Sequence, residues 1–109
     1  MSADRFAALP KHRVAGREVF VAVGPRARLL GLAWLPVERA GTGLLIPRCA
    51  GVHTFGMRFA LDVFFLDGAG RVLSRRLAVP PRRLLRDRRA RAVLEIPAGV
   101  GGEFAPPSP

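Results

Sequence analysis

The sequence predicts a mainly β domain, a small sandwich or partly open barrel, with one short helix packed on it. Three observations carry this reading: a succession of short apolar or β-branched segments, glycine or proline punctuation between them, and a single stretch with helical spacing. At 109 residues, the chain can build one modest core but not two. Its apolar half (50%) argues against disorder of the whole.

The elements follow in order. Residues 1–10 read as a flexible segment, 11–101 as a single β-rich domain, and 102–109 (GEFAPPSP) as a disordered proline-rich tail. Val19 to Val23 (VFVAV) is apolar on both faces and predicts a buried strand, with Gly16-Arg17 as the turn of an opening hairpin. Gly24-Pro25 breaks it, and proline suits a first helical position. From Arg26 to Leu35 the residues Leu29, Leu30, Ala33 and Trp34 fall at helical spacing, with Pro36 as the stop and Trp34 as a core anchor. Gly31 costs that helix about 1 kcal/mol relative to alanine, so it must lean on the sheet.

Leu44 to Ile46 is a short strand ended by Pro47, and Arg48 to Gly56 reads as an irregular connection. Phe59 to Leu66 is the strongest strand: every residue on both faces is apolar except Asp62, as in the middle of a sandwich or barrel. Asp67-Gly68-Ala69-Gly70 has hairpin-loop chemistry. Arg71 to Val79 returns as a half-exposed strand with Leu73, Leu77 and Val79 on one face, and Pro80-Pro81 ends it. Residues 82–91 read as an arginine-rich loop. A last strand, Ala92 to Ile96, is expected to point Ala92, Leu94 and Ile96 inward and Glu95 outward.

Lys+Arg 18 against Asp+Glu 8 gives a formal charge of +10, and Lys11 is the only lysine. Such a balance attracts anions: nucleic acid, acidic protein surface or anionic lipid. Cys49 is the only cysteine, so an intrachain disulfide framework is excluded. The start lacks a signal-peptide apolar region, and no run approaches the ~18 apolar residues of a membrane span. The expected location is the cytoplasm.

Four stretches carry a family resemblance: RARLLGL (26–32), GTGLLIPRC (41–49), VHTFGMRFALDVFFLDGAGRV (52–72) and AVLEIPAG (92–99). Together they resemble the domain-of-unknown-function family 192. The resemblance implies a compact β-rich fold, no established activity and no catalytic residues to carry over. Members of that family commonly continue past the PAG stretch into a short helix and a final strand. Here the sequence reads GVGGEFAPPSP, so a sheet edge is expected beside residues 92–96, open to pairing with another chain.

The candidate chemistry clusters around one strand. Asp62 needs a partner, because an unpaired charge among Leu61, Val63 and Phe64 costs several kcal/mol, roughly the penalty for a buried ion. His53, Thr54, Arg58 and Asp62 can form a polar pocket, with Arg58 as a fork for carboxylate or phosphate. The structural alternative is that Asp62 accepts from backbone amides or Arg58 while His53 caps a turn. Cys49, His53 and Asp62 suggest a thiol hydrolase or transferase. An extended chain, however, would separate Cys49 from His53 by about 13 Å. No zinc-ligand spacing is present and no cofactor motif appears, so neither a metal nor a cofactor is expected. Arg71, Arg75, Arg76, Arg82, Arg83, Arg86, Arg88, Arg89 and Arg91 form a dense basic stretch, a footprint for phosphate contact, with no aromatic between Phe65 and Phe104 for base stacking. The functional expectation is a binding or accessory module for an anionic ligand or partner, including non-specific nucleic acid. The alternatives are the thiol enzyme and a structural protein completed at a sheet edge.

Overall fold

A computed structural model describes residues 9–14, 17–33 and 43–98. The chain runs β1 (Lys11–Val14), β2 (Arg17–Val21), α1 (Pro25–Leu30), β3 (Leu44–Pro47), β4 (Gly51–His53), β5 (Leu61–Leu66), β6 (Val72–Val79), β7 (Leu84–Arg86) and β8 (Ala92–Pro97). Six strands form one sheet in the order β1-β2-β3-β8-β5-β6, and β4 pairs with β7 in a separate ribbon. Among the described residues only the β2–β3 pair is parallel, reached by a crossover that contains α1. The main sheet is not closed. The fold is mainly β with one short helix, as the sequence predicts.

Residues of β5 are buried on both faces, and each face meets its own cluster. Leu61, Val63 and Phe65 join Leu44, Ile46, Leu32 and Val93 under the cover of Ala27, Val52 and Leu85. Phe64 and Leu66 join Val19, Val72, Leu94 and Ile96, with Val14 packed against them. Curling of the sheet brings β1 toward the β5–β6 loop, where His12, Arg13 and Val14 face Asp67–Gly70 across a cleft of about 340 Å³. Asp67 shapes that loop: one carboxylate oxygen accepts from the amides of Ala69 and Arg71, and the other from the Arg71 side chain.

Several elements differ from the sequence reading. The helix ends at Leu30, five residues short of the predicted Leu35, because Gly31 takes φ +54 and closes the last turn onto Ala27. Trp34 and Pro36 lie outside the described residues, as do residues 1–8 of the predicted N-terminal segment (1–10) and the whole of the predicted tail, 102–109; Leu9 packs against the core and Pro10 O accepts from Val21 N. The connection from Arg48 to Gly56 contains β4, and the arginine-rich stretch contains β7. Three residues each are too few to show alternation, and they order by pairing with one another. Most consequentially, β8 is central. It pairs with β3 on one side and β5 on the other, so no sheet edge lies at residues 92–96; among the described strands the outermost are β1 and β6.

Being central also reverses the expectation for Glu95, which is 1% exposed rather than outward. Strand β6 departs from strict alternation too. Leu61 pairs with Val79 and Val63 with Arg76, so β6 carries an extra residue opposite Asp62. Ala78 in this bulge adopts φ +53, and Leu77 is turned out to solvent. The bulge leaves the Ala78 amide for the Asp62 carboxylate, which accepts it at 2.8 Å. Thus Asp62, only 4% exposed, is held from within the sheet by backbone.

Replacing Asp62 by alanine orphans the Ala78 amide, and Asp62→Asn keeps an acceptor there. Asp62→Ala should cost about 1–3 kcal/mol in urea denaturation, the usual penalty for a buried unmade hydrogen bond, and Asp62→Asn clearly less. Equal losses for the two variants would show that the bond does not hold the bulge.

Candidate functional site

The four residues of the expected polar pocket take separate partners. His53 bridges two elements: Nε2 lies 2.8 Å from the Leu29 carbonyl, and Nδ1 receives the Phe55 amide at 3.2 Å. Since Nδ1 accepts, the ring proton sits on Nε2 and donates to the end of α1. Thr54 is fully buried, and its hydroxyl donates to Pro80 O and accepts from Arg83 N, each at 2.8 Å. Those bonds fix the turn at Arg82, which adopts φ +68. Asp62 is engaged with Ala78, as above. Arg58 is exposed and takes no hydrogen bond or ion pair among the described residues. The thiol of Cys49 donates to Gly51 O at 3.1 Å and borders a cavity with Arg48, Ala90 and Arg91, apart from His53.

A different cavity does collect chemistry. About 140 Å³ of space between the end of α1, β3, β4 and β8 is lined by Arg28, Leu29, Gly31, Ile46, Gly51, Val52, His53 and Glu95. Each wall has a local cause. Glu95 faces this side because its neighbours across the sheet, Leu44 and Val63, do so. Its Oε1 accepts a long hydrogen bond from Leu32 N at 3.3 Å, and Oε2 has no partner among the described residues. Gly31 makes the approach feasible, since a Cβ there would stand 2.6 Å from Oε1. Arg28 is fixed at the rim by the carbonyls of Pro47 and Arg48. Removal from water pushes the Glu95 carboxyl up to about 8, and the single amide bond offsets this only in part.

Beside that cavity runs a larger, mostly apolar groove of about 390 Å³, lined by Gly51, Val52, His53, Leu84, Leu85 and Arg86. The two spaces share Gly51, Val52 and His53. The groove's outer wall, Leu84, is 77% exposed. Its strand is held by Asp87, whose amide bonds Ala50 O and whose carboxylate accepts from Ser74 and Arg89. These donors hold the Asp87 carboxyl well below the usual carboxylate range, the Arg89 side chain foremost. Of the arginines singled out by sequence, Arg71 and Arg89 are therefore paired with acids, whereas Arg75, Arg76, Arg82, Arg83, Arg86 and Arg88 are exposed without an ion pair among the described residues.

The family model for DUF192, described as an uncharacterised ACR, matches residues 8–104. The chain belongs to this family. No curated protein matches it. Among solved structures, it is similar to a candidate transcription regulator from Sinorhizobium meliloti, with 22% identity, a TM-score of 0.71, and coverage of 83% of this chain and 77% of that one. It is also similar to a protein of unknown function from Novosphingobium aromaticivorans, with 21% identity, a TM-score of 0.62, and coverage of 95% and 90%. At such identities the likeness is one of fold. Membership in DUF192 supplies no activity. Among the described residues of this DUF192 chain, no group of three or more His, Cys, Asp or Glu side chains could hold a metal ion, and no helix is long and apolar enough to cross a membrane.

Sequence reasoning missed Glu95 although the signal resembles that of Asp62: an acid flanked by apolar residues, here Leu94 and Ile96, in a strand covered on both faces. Its raised value has a measurable consequence. The fold retains a proton that the unfolded chain gives up at the ordinary glutamate value of 4.5. Stability should therefore fall as pH rises from about 4.5 to about 8, with a slope of at most about 1.4 kcal/mol per pH unit from this group. Urea midpoints measured across that interval should decline in the wild type, and the decline should be shallower in Glu95→Gln. Identical pH profiles for the two proteins would mean that the carboxyl is not protonated in the fold.

Proposed function

We propose that this chain is a binding module for an anionic ligand with an apolar body, taken up in the groove between β4 and β7. The observation that carries this reading is the composition of one strand: β7 presents Leu84 and Leu85 to the groove and places Arg86 on its wall. Exposed Arg82 and Arg83 precede it, and Arg88 follows it. An apolar floor with a cationic border is complementary to a molecule that is apolar along its length and negative at an end. Thr54 and Asp87 support the arrangement by tying both ends of the arginine segment to the body of the protein. The same reading assigns the chain to the cytoplasm, in keeping with its free thiol. Base stacking finds no aromatic on β7 or its flanks, which favours a small amphiphile over nucleic acid.

Covering the Leu84 side chain should contribute about 1.5–3 kcal/mol, so placing a charge there should weaken binding by at least about tenfold. In an NMR titration with decanoate at low salt, Val52, Leu84, Leu85 and Arg86 should shift together. Leu84→Asp should abolish the response, and Arg86→Glu should weaken it and its salt dependence. Unmoved groove resonances at millimolar ligand, or retention of duplex DNA that survives Leu84→Asp, would overturn the assignment.

A further inference from the structure

Resting on the groove reading, we propose that the cavity between α1 and β8 seats the ligand's head group, and that this head group is a carboxylate received by the Glu95 carboxylic acid and the Arg28 guanidinium. Three geometric facts lead there. The cavity and the groove share the lining residues Gly51, Val52 and His53, so the two spaces are neighbours along β4. The Glu95 carboxyl is buried and lines the cavity, with Oε2 unpartnered among the described residues. Arg28 stands at the rim with its orientation already set by two backbone carbonyls, so little side-chain freedom is lost on binding.

The donor set selects the ligand chemistry. A carboxyl that holds its proton at neutral pH presents an O–H donor, and a carboxylate is the acceptor with which it can share that proton, as paired carboxyl groups do. The guanidinium supplies the balancing charge. An ammonium head would have to enter past Arg28 and first ionise Glu95. Sulfate esters are far weaker bases and share the proton poorly. His53 contributes the wall rather than a donor, because both ring nitrogens are engaged with Leu29 and Phe55. Among the described residues, the charged or titratable groups that line the cavity with Glu95 are thus Arg28 from α1 and His53 from β4; β3 contributes Ile46, and the opposite residue of β5 is Val63.

Calorimetric titration of the full chain with decanoate, decyl sulfate and decanol separates this proposal from the groove reading. For the wild type, decanoate should bind best near pH 7 and lose at least about tenfold in affinity by about pH 9.5, as Glu95 ionises. Decyl sulfate should bind more weakly and show little change. In Glu95→Gln, which keeps an N–H donor but cannot ionise, decanoate should bind without that pH dependence. Glu95→Leu should erase the preference for decanoate over decanol. Circular dichroism at each pH confirms that the fold persists. Equal, pH-independent binding of decanoate and decanol to the wild type would overturn the head-group assignment and leave the groove standing. Failure of all three probes to bind would overturn both.

Discussion

A carboxyl group inside a sheet must take its hydrogen bonds from backbone that has amides to spare, and this requirement organises the molecule. The regular ladder of a central strand offers none, because each amide is already committed to a neighbour. Irregular backbone is therefore needed wherever an acid is buried. Asp62 obtains its amide from the bulge at Ala78, and Glu95 obtains one from Leu32, just past the helix. The two acids sit on adjacent strands, β5 and β8, yet face opposite sides of the sheet, since Asp62 pairs with Ile96 and Glu95 with Val63. Each face of the sheet thus carries one buried acid, and each fixes a departure from ideal geometry.

The second ribbon depends on the same logic applied to neutral and ionised oxygens. Strands of three residues have little stability of their own. Here β4 and β7 hold because Thr54 satisfies the turn at Arg82 and Arg83, while Asp87 bonds Ala50, Ser74 and Arg89. A stretch that repels itself electrostatically is in this way laid along the protein instead of extending into water. Order at the backbone leaves Arg82, Arg86 and Arg88 exposed without an ion pair among the described residues, and it puts Leu84 where solvent can reach it.

How much of this was legible follows from which signals are local. Strand β5 was readable because its apolar residues fill both faces, and the need of Asp62 for a partner followed from that burial alone. The Asp67 loop was readable from turn chemistry; the opening hairpin was readable as a pairing, but its turn was not, since Arg17 already belongs to β2 and pairs with Val14. Glu95 was misread because alternation in VLEIP was taken to mean one wet face, whereas β8 lies between β3 and β5 and both its faces are covered. Strand order is a non-local property, and a chain that places its last described strand third from one edge gives no local sign of it. The same limit hid the bulges of β6, which change the face of Val79 relative to Leu77, and the pairing of Gly51–His53 with Leu84–Arg86. The helix was overextended because spacing continued past Gly31, while the backbone there turns left-handed to let Glu95 in.

The two buried acids differ in one respect that bears on function. Asp62 sits at a bulge whose freed amide it takes at 2.8 Å, a good hydrogen bond that locks the sheet. Glu95 accepts only a stretched 3.3 Å bond, its second oxygen takes no hydrogen bond among the described residues, and its side chain lines the small cavity. A purely structural role would be served as well by leucine or methionine, since burying an incompletely satisfied acid costs free energy and returns little packing. Gly31 is a further concession to that side chain: its missing Cβ is what makes room for Oε1 at the end of a helix only six residues long. A helix shortened at Gly31 and an under-bonded carboxyl converge on the wall of one small cavity, and that cavity shares its β4 wall with the apolar groove. Costs gathered at a single place, with no gain to the fold, are the physical signature of a site that is completed by something else.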